Sequence, residues 1–549
     1  MLAKIIVYKI VSNTYMKKIY IIGSVLVVLA IVGRLVISQQ GSVETVETEI
    51  TAVAAPVSTE ALSYAEEDVS FENISTGFTH SFDSEYSQFL GGTAIDLNND
   101  ETQEIYVTGG ADQNDAYLVY ENGTFVDKIS ELGITNTQAS YGVISTDIDN
   151  NGSVDLFIAR QDGVYAYYQE NGVFEEYKIP VSFERDAVPV DITVGDIDND
   201  GDFDLYISTF ITASKFRSAT FNDPNHVQKN VLLRNDGERV FTDITEESGL
   251  VYSQNTFTAS FIELNNDGFI DLVVSPNTDQ VKIYRNNNGV FTLEQEVSTY
   301  GFWMGIGIDD IDNDGDVDLF FSNSGTTVPK RLATGDLRAD QNFDVAYSLL
   351  RNDGEFAFTD ITDQINDGLP FGWGIVAHDF DGDNQSEWLV MQNYIKWPGH
   401  KLNKGPGTLL KKTNNGYEQV IRDFGLDNRN YGFSALIGDF TGDDIQDVAY
   451  LNVDGPLRVL AGEAELINKR VDVLVADDAS SQGLHFELEL DGTVIKKAYN
   501  PKQGIMTDQA SSVSFSLGNQ EQALLRVLKN GGELQTLVIE KDQQIVDLR

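Results

Sequence analysis

One acidic loop pattern occurs seven times in this chain, and a short apolar run follows each copy at once. Successive copies begin about 57 residues apart on average, the first at Asp96 and the last at Asp439. A repeat of this length indicates copies of one supersecondary unit, each of which needs its neighbours to bury its apolar face. The recurrence therefore constrains the fold more strongly than any single motif does.

Each loop places an oxygen-bearing side chain at positions 1, 3, 5 and 9. In chain order these predicted metal ligands are Asp96, Asn98, Asp100 and Glu104; Asp147, Asp149, Asn151 and Asp155; Asp196, Asp198, Asp200 and Asp204; Glu263, Asn265, Asp267 and Asp271; Asp310, Asp312, Asp314 and Asp318; Asp379, Asp381, Asp383 and Glu387; and Asp439, Thr441, Asp443 and Asp447. Calcium is a hard cation that takes about 6–8 oxygen ligands, and the carbonyl of position 7 would add to these side chains. We predict up to seven Ca²⁺ ions per chain.

The loops differ from other acidic motifs in their spacing. An EF-hand loop ends in a glutamate at position 12 between two helices, whereas these loops end at position 9 in strand-like sequence. Magnesium suits them less, because it keeps several of its waters. The alternative is a set of metal-free Asp/Asn/Gly turns. Because clustered carboxylates repel one another without a cation, seven copies in register favour the metal.

Each repeat contains about four short strands. An apolar stretch precedes the acidic loop and another follows it, and then comes a hairpin around a turn such as 234–237 or 351–354. A seven-bladed β-propeller would protect the edges of such sheets by radial closure, with an open solenoid as the alternative. We predict an all-β propeller over residues 69–465 and a small β domain over 466–549, which includes a hairpin around Asp491-Gly492.

Composition excludes several classes of function. The 549 residues include 86 Asp and Glu against 37 Lys and Arg, a formal net charge of −49. This surplus argues against nucleic acid as a partner, because phosphate binding needs a basic surface. It fits either solubility in salt or a large set of metal ligands. With no cysteine, the chain has no disulfides, thiolate metal sites or cysteine nucleophile.

The N-terminal 37 residues are typical of a signal or anchor segment. Lys17 and Lys18 precede an uninterrupted apolar run over 19–33, which resumes after Arg34. The charges before the run place the remainder outside the cytoplasm, in the periplasm or at the cell surface. We favour an uncleaved membrane helix, and cleavage would give a secreted protein. Residues 38–68 are predicted to be a flexible acidic linker.

Three motifs recur or stand out in this chain: the Asp-x-Asp-x-Asp-Gly-x-x-Asp-Leu loops, the Arg-Asn-Asp-Gly turns and segment 241–250, Phe-Thr-Asp-Ile-Thr-Glu-Glu-Ser-Gly-Leu. Together they resemble FG-GAP/VCBS repeat proteins, and most closely the bacterial type of the cartilage acidic protein (ASPIC/UnbV) family. The resemblance implies a propeller similar to the integrin α-subunit head, with calcium between the first two strands of each blade. Residues 515–518, Phe-Ser-Leu-Gly, are similar to the Phe-Gly-Leu-Gly of the ASPIC/UnbV domain. Glu263 and Thr441 stand where the family usually has Asp.

Three long segments, 208–230, 322–346 and 391–408, are expected on the face opposite the calcium loops. Long loops on a rigid scaffold often bind partners, and these are rich in basic and aromatic residues. They predict a site for a protein or an anionic glycan, with ordinary solvated lysines as the alternative. The candidate ligand-binding residues are Lys215, Arg217, Lys330, Arg331, Lys396, Trp397, His400 and Lys401.

Two functions remain open from the sequence. The first is an extracytoplasmic adhesion, scaffold or ligand-binding module in which calcium rigidifies each blade. The alternative is a propeller enzyme that acts on anionic polysaccharide, like a lyase, with His226 and His400 as acid/base groups. The sequence contains no nucleophile elbow, zinc motif or phosphate loop beside them. We favour the binding module and assign no catalytic residue.

Overall fold

The computed structural model describes residues 70–549 apart from 82–88, 99, 101, 136–137, 171, 185, 328, 366–367, 395–402, 463–469 and 542. The predicted anchor and linker lie outside the described residues. The described part of the chain is almost entirely β structure. Among these residues, no helix has both the length and the apolar character needed to cross a membrane.

Seven antiparallel sheets follow one another along the described chain. Strand β1 (Phe71–Thr79) comes first and joins the last of them. The strands of the first three sheets are β2 (Gly92–Ile95), β3 (Glu104–Val107), β4 (Ala116–Glu121) and β5 (Thr124–Asp127); β6 (Ser140–Thr146), β7 (Asp155–Arg160), β8 (Gly163–Glu170) and β9 (Val173–Lys178); and β10 (Ala187–Gly195), β11 (Asp204–Ile211), β12 (Val231–Asn235) and β13 (Phe241–Asp243).

The next four sheets repeat the same up-and-down order. Their strands are β14 (Thr256–Ile262), β15 (Asp271–Pro276), β16 (Lys282–Asn287) and β17 (Val290–Glu296); β18 (Ile306–Asp309), β19 (Asp318–Phe321), β20 (Ser348–Asn352) and β21 (Phe358–Asp360); β22 (Gly372–His378), β23 (Glu387–Tyr394), β24 (Asn403–Lys404), β25 (Thr408–Thr413) and β26 (Gly416–Gln419); and β27 (Gly432–Gly438), β28 (Asp447–Asn452) and β29 (Pro456–Gly462). Short turns of 3-10 helix cover Ala213–Lys215, Gly325–Thr327, Thr362–Gln364 and Ala479–Ser481, and one helical turn, α1, covers Lys330–Ala333.

The seven sheets have a propeller-like arrangement. The first strand of each sheet contacts the first strand of the next, and β27 contacts β2. Strand β1 pairs with β29, so the seventh sheet takes its fourth strand from the other end of the ring. Second strands such as β7 and β15 are buried along their whole length, because neighbouring sheets cover both of their faces. This explains the uninterrupted apolar runs within them, 156–159 in β7 and 272–274 in β15.

Side chains fill the axis of the ring. Phe89 lies 5.3–6.1 Å, between ring centroids, from Tyr141, Phe210, Phe257 and Phe433. These aromatic residues lie near the axis of the ring and bury large apolar surfaces against one another. Glycine is required where the first strands converge, since a Cβ on Gly91 would lie 2.1 Å from the carbonyl oxygen of Tyr141.

The C-terminal residues form a β-sandwich. The strands of this part of the chain, all of which except β33 belong to the sandwich, are β30 (Arg470–Leu474), β31 (Leu484–Leu490), β32 (Thr493–Ala498), β33 (Thr507–Asp508), β34 (Ser512–Ser516), β35 (Gln522–Lys529), β36 (Gly532–Glu540) and β37 (Ile545–Asp547). The sheets β34-β30-β37 and β32-β31-β35-β36 enclose a core that includes Val473, Phe486 and Leu525. The predicted hairpin is confirmed: Asp491 (φ 47°) and Gly492 (φ 81°) form the left-handed turn between β31 and β32.

Strand β33 leaves the sandwich and adds to the first sheet of the ring. It pairs in parallel with β2, from Gly92 opposite Thr507 to Thr93 opposite Asp508. The preceding residues, Ile505 and Met506, have no exposed surface. Segment 500–510, which we call the plug, is therefore built into the ring.

Candidate functional site

All seven acidic loops join the first and second strands of their sheets and lie on one face of the ring. The residue at position 1 organises the turn. In the third loop, Asp196 accepts the N–H groups of Asp200 and Gly201 at 3.0 and 3.1 Å. The second, fifth, sixth and seventh loops repeat both bonds. Each carboxylate thus satisfies two amides that the turn leaves unpaired.

The side chain at position 5 supports the second half of the loop. Asp200 accepts the N–H of Asp202 at 3.0 Å, and the corresponding bond is present in all seven loops. Positions 4 and 6 both have left-handed backbones, as shown by Asn199 (φ 58°) and Gly201 (φ 95°). In the sixth loop the order is reversed, with Gly382 (φ 70°) at position 4 and Asn384 (φ 62°) at position 6. The glycine that moves to position 4 therefore leaves the backbone conformation unchanged.

The carboxylate at position 9 is the most deeply held. Asp204 is 1% exposed and accepts the N–H of Ile197 at 3.1 Å and that of Asn235 on the third strand at 2.9 Å. In every loop the amide of position 2 donates to the residue at position 9. Position 9 thus fixes the loop to the sheet and directs one carboxylate toward the loop interior.

In the part of the chain that the structure describes, four loops bring three carboxylates into one cluster, with one oxygen atom from each lying within 4.8 Å of the others. The clusters are Asp147, Asp149 and Asp155; Asp196, Asp198 and Asp204; Asp310, Asp312 and Asp318; and Asp379, Asp381 and Glu387. They correspond to positions 1, 3 and 9. At position 3, Oδ1 of Asp149, Asp198 and Asp381 is buried with no hydrogen-bond donor among the described residues. A buried anionic oxygen with no donor fits a bound cation.

The other three loops have a different residue at position 3. In the first loop Asn98 donates to Glu104 at 3.0 Å, and in the fourth Asn265 donates to Asp267 at 2.7 Å. The seventh has Thr441 there. These loops have one fewer negative charge, and in the first and fourth loops the side chains partly satisfy one another.

Burial makes the clustered carboxylates costly to ionise. The pKa of Asp204, Asp271 and Asp318 is raised to about 8, mainly by burial; neighbouring carboxylates contribute to the rise, and backbone donors oppose it. The pKa of Asp155 and of Asp447 rises to about 7 for the same main reason. A cation in the loop would favour the ionised carboxylates and remove this cost.

Position 4 carries a contact that the sequence pattern did not reveal. Asn150 donates to Gly201 O (3.2 Å) and Asp202 Oδ1 (2.8 Å) of the next loop. Asn199 donates to Gly268 O at 3.1 Å and Asn266 to Asp316 Oδ1 at 3.0 Å. The signal was present in the sequence, since the first five loops all have Asn at this position. These side chains join neighbouring loops into a chain.

The C-terminal sandwich covers the loop face. Asp147 donates its N–H to the carbonyl of Asp477 at 2.6 Å, and Asp196 donates to Oε1 of Gln482 at 2.8 Å. In the sixth loop the Asn384 side chain makes two 2.8 Å bonds to the backbone of Ser516. The acidic loops are therefore also a docking surface within the chain.

The plug completes this contact at the axis. Gly504 and Ile306 exchange backbone hydrogen bonds of 2.9 and 3.0 Å. Gln509 pairs with the backbone of β27 through Ala435 and Ile437. Lys502 pairs with Asp191 at 2.7 Å, and both side chains are buried. The pair between Lys502 and Asp191 leaves both of these charges partnered inside the ring.

On the opposite face, the predicted basic residues pair with acids of the same region. Lys215 lies 2.6 Å from Asp186, Arg217 3.1 Å from Asp223 and Lys330 3.3 Å from Asp344. Arg331 is exposed. The remaining candidates, Lys396, Trp397, His400 and Lys401, lie outside the described residues. The structure thus places the described members on one face, with three of them in ion pairs.

His226, the other histidine considered for acid/base chemistry, is buried. Its Nε2 accepts the N–H of Arg217 at 2.9 Å, and its ring packs against Phe216. Burial lowers its pKa. These contacts assign it a structural part in the loop.

Three FG-GAP-like repeats are matched by a family model, over residues 96–158, 147–207 and 263–321. No curated protein matches the chain. Among solved structures, an Agrocybe aegerita lectin that recognises non-reducing terminal N-acetylglucosamine is similar at 13% identity and a TM-score of 0.39, over 71% of this chain and 96% of that one. The Dos1 propeller is similar at 10% identity and a TM-score of 0.37, over 71% and 95%.

Proposed function

We propose that this protein is an extracytoplasmic, seven-bladed calcium propeller that serves as an adhesion, scaffold or ligand-binding module. The observation that carries the proposal is the set of four clusters in which carboxylates from positions 1, 3 and 9 approach within 4.8 Å. The same loop stands at the same place in each of the seven sheets. Up to seven ions would bind, one in each loop.

The donor set favours calcium over other cations. The four clusters contain only carboxylates, and oxygen-only sites suit Ca²⁺, Mg²⁺ or Mn²⁺ rather than zinc or copper. Three carboxylates converge in each of these clusters, and the carbonyl of position 7 would add a further ligand, which fits the higher coordination number of calcium. The ion would offset carboxylate repulsion and hold the loop face in shape. In this chain without cysteine, calcium would take the stabilising part that disulfides play elsewhere.

The test is to count calcium bound per chain by equilibrium dialysis and to follow the melting temperature in calcium, in magnesium and in a chelator. We expect about five to seven ions and a higher Tm in calcium, because each site adds about 2.7 kcal/mol of stability at a ligand concentration of 100 Kd. Magnesium at the same concentration should give a smaller shift. A count near zero would refute the proposal.

We also propose that the chain is exported, with the propeller outside the cytoplasm and held at the membrane by the N-terminal segment. The partner would be a protein or an anionic glycan bound on the face opposite the acidic loops, since side chains fill the axis and the sandwich covers the loop face. Lys330 and Arg331 are the exposed cations to test. The test measures retention of the wild type and of a variant with both residues changed to Glu on an immobilised sulfated polysaccharide. Equal retention of the two would argue against that surface.

A further inference from the structure

The sixth acidic loop contains a cation supplied by the chain itself. The ammonium group of Lys411, on β25, bonds to Asp381 at position 3. It also lies 3.3 Å from Oδ2 of Asp383 at position 5 and 3.6 Å from Oε1 of Glu387 at position 9. Three of the four predicted metal ligands of this loop therefore surround one positive charge.

Sheets three, four and five have an arginine at the equivalent position of the third strand, and Arg285 of the fourth sheet lies 3.2 Å from Glu294 of its own hairpin. Lys411 follows Leu410, which pairs with Trp388, just as Arg351 follows Leu350, which pairs with Leu319. Arg351, however, bonds to Asp353 of its own hairpin turn at 2.7 Å and lies 3.6 Å from Asp312 of the loop. Arg234 of the third sheet likewise bonds to Asp236, at 2.7 Å.

The hairpin turn of the sixth sheet offers no such acid. Two residues beyond Lys411 stands Thr413, where the third and fifth sheets have Asp236 and Asp353. The only carboxylates paired with Lys411 among the described residues belong to the acidic loop. A lysine ammonium is also a compact point charge, whereas a guanidinium is a planar fork. Both differences direct this one cation into its loop.

We propose that Lys411 takes the place of calcium in the sixth loop, so that the chain binds one ion fewer than its number of loops. The inference rests on the proposed calcium function and refines it. Glu387, whose side chain is 1% exposed, would then be neutralised by a residue that cannot dissociate. The ammonium offsets negative charge of the loop, while Oδ1 of Asp381 has no hydrogen-bond donor among the described residues.

The test compares calcium stoichiometry in the full chain and in the variant K411M, which keeps the apolar stem and removes the charge. We expect K411M to bind one ion more than the wild type. Its Tm should also fall in chelator and recover in calcium. The matched control is R351M, at the equivalent position of sheet five, which should leave the count unchanged.

A second pair of variants guards against misfolding of K411M. E387Q removes the position-9 carboxylate of the sixth loop and should leave the wild-type count unchanged, whereas D318N in the fifth loop should lower it by one. If the wild type binds calcium and K411M binds the same number of ions, or E387Q binds one ion fewer, this inference alone would be overturned. A wild type that binds none would overturn the proposed function as well.

Discussion

The two faces of the ring are built by different means. On the loop face, seven copies of one turn are held by buried carboxylates and by the sandwich that covers them. On the opposite face, the connections differ in length, and aromatic packing holds them: Phe221 lies 5.4 Å from Phe302 and 5.7 Å from Phe343, between ring centroids. The first face is constrained by repetition and the second is free to vary, which separates the scaffold from the surface suited to recognition.

The strongest test of this contrast is the plug. I505D would place an unpaired carboxylate at a fully buried position of the ring, and we expect a loss of about 3–5 kcal/mol in the free energy of unfolding. The control, L534D, changes a residue that is 62% exposed on β36 and should cost far less. Chemical denaturation in saturating calcium measures both. Equal losses would show that the plug does not tie the sandwich to the loop face.

A smaller loss is expected at position 9. Asp318 accepts the N–H of Ile311 at 2.8 Å and that of Asn352 at 2.6 Å, so D318A leaves two buried amides unpaired. We expect a loss of about 2–4 kcal/mol. D316A in the same loop removes a more exposed carboxylate that accepts one bond from Asn266 and should cost less than about 1 kcal/mol. If both variants melt alike, the buried carboxylates do not set the strength of this face.

The loop face should also respond to pH in the calcium-free chain. The pKa of Asp204, Asp271 and Asp318 is about 8 in the folded chain, against an ordinary value of 3.8. The folded chain therefore holds these protons at pH values where the unfolded chain releases them, and stability should fall as pH rises from about 4 to 8. Calcium should oppose this fall. Melting curves at pH 5, 6.5 and 8 should show the gap between calcium and chelator widening with pH; parallel curves would contradict the assignment.

The smallest effect is expected on the opposite face. K215E and K330E each remove one exposed ion pair, with Asp186 or Asp344. We expect changes within about 0.5 kcal/mol, since such pairs contribute little in water. The melting temperature in calcium checks this. A loss as large as that of D318A would mean that both faces are equally constrained.

The repeated parts of this molecule were accessible to sequence reasoning, and the long-range contacts were not. The acidic loops, the strands beside them and the turn at Asp491-Gly492 follow from local residue patterns, and the structure has them where they were predicted. The pairing of β1 with β29 and the insertion of the plug have no local pattern, because their hydrogen bonds join residues far apart in the chain. The contact of Lys411 with the sixth loop could not be predicted from a local pattern either, since it depends on the absence of an acidic residue at Thr413.

The pairing of β1 with β29 also has a consequence for the order in which the molecule is made. The hydroxyl of Thr76 bonds to the carbonyl of Leu457, 381 residues later in the chain. The sheets of the interior can form as local meanders while synthesis proceeds. The seventh sheet cannot be completed until nearly the whole ring has been synthesised, because its fourth strand, β1, comes from the other end of the ring. The ring therefore closes by the meeting of its two ends, and until then the nascent chain has an unpaired strand edge that can pair with a neighbouring chain.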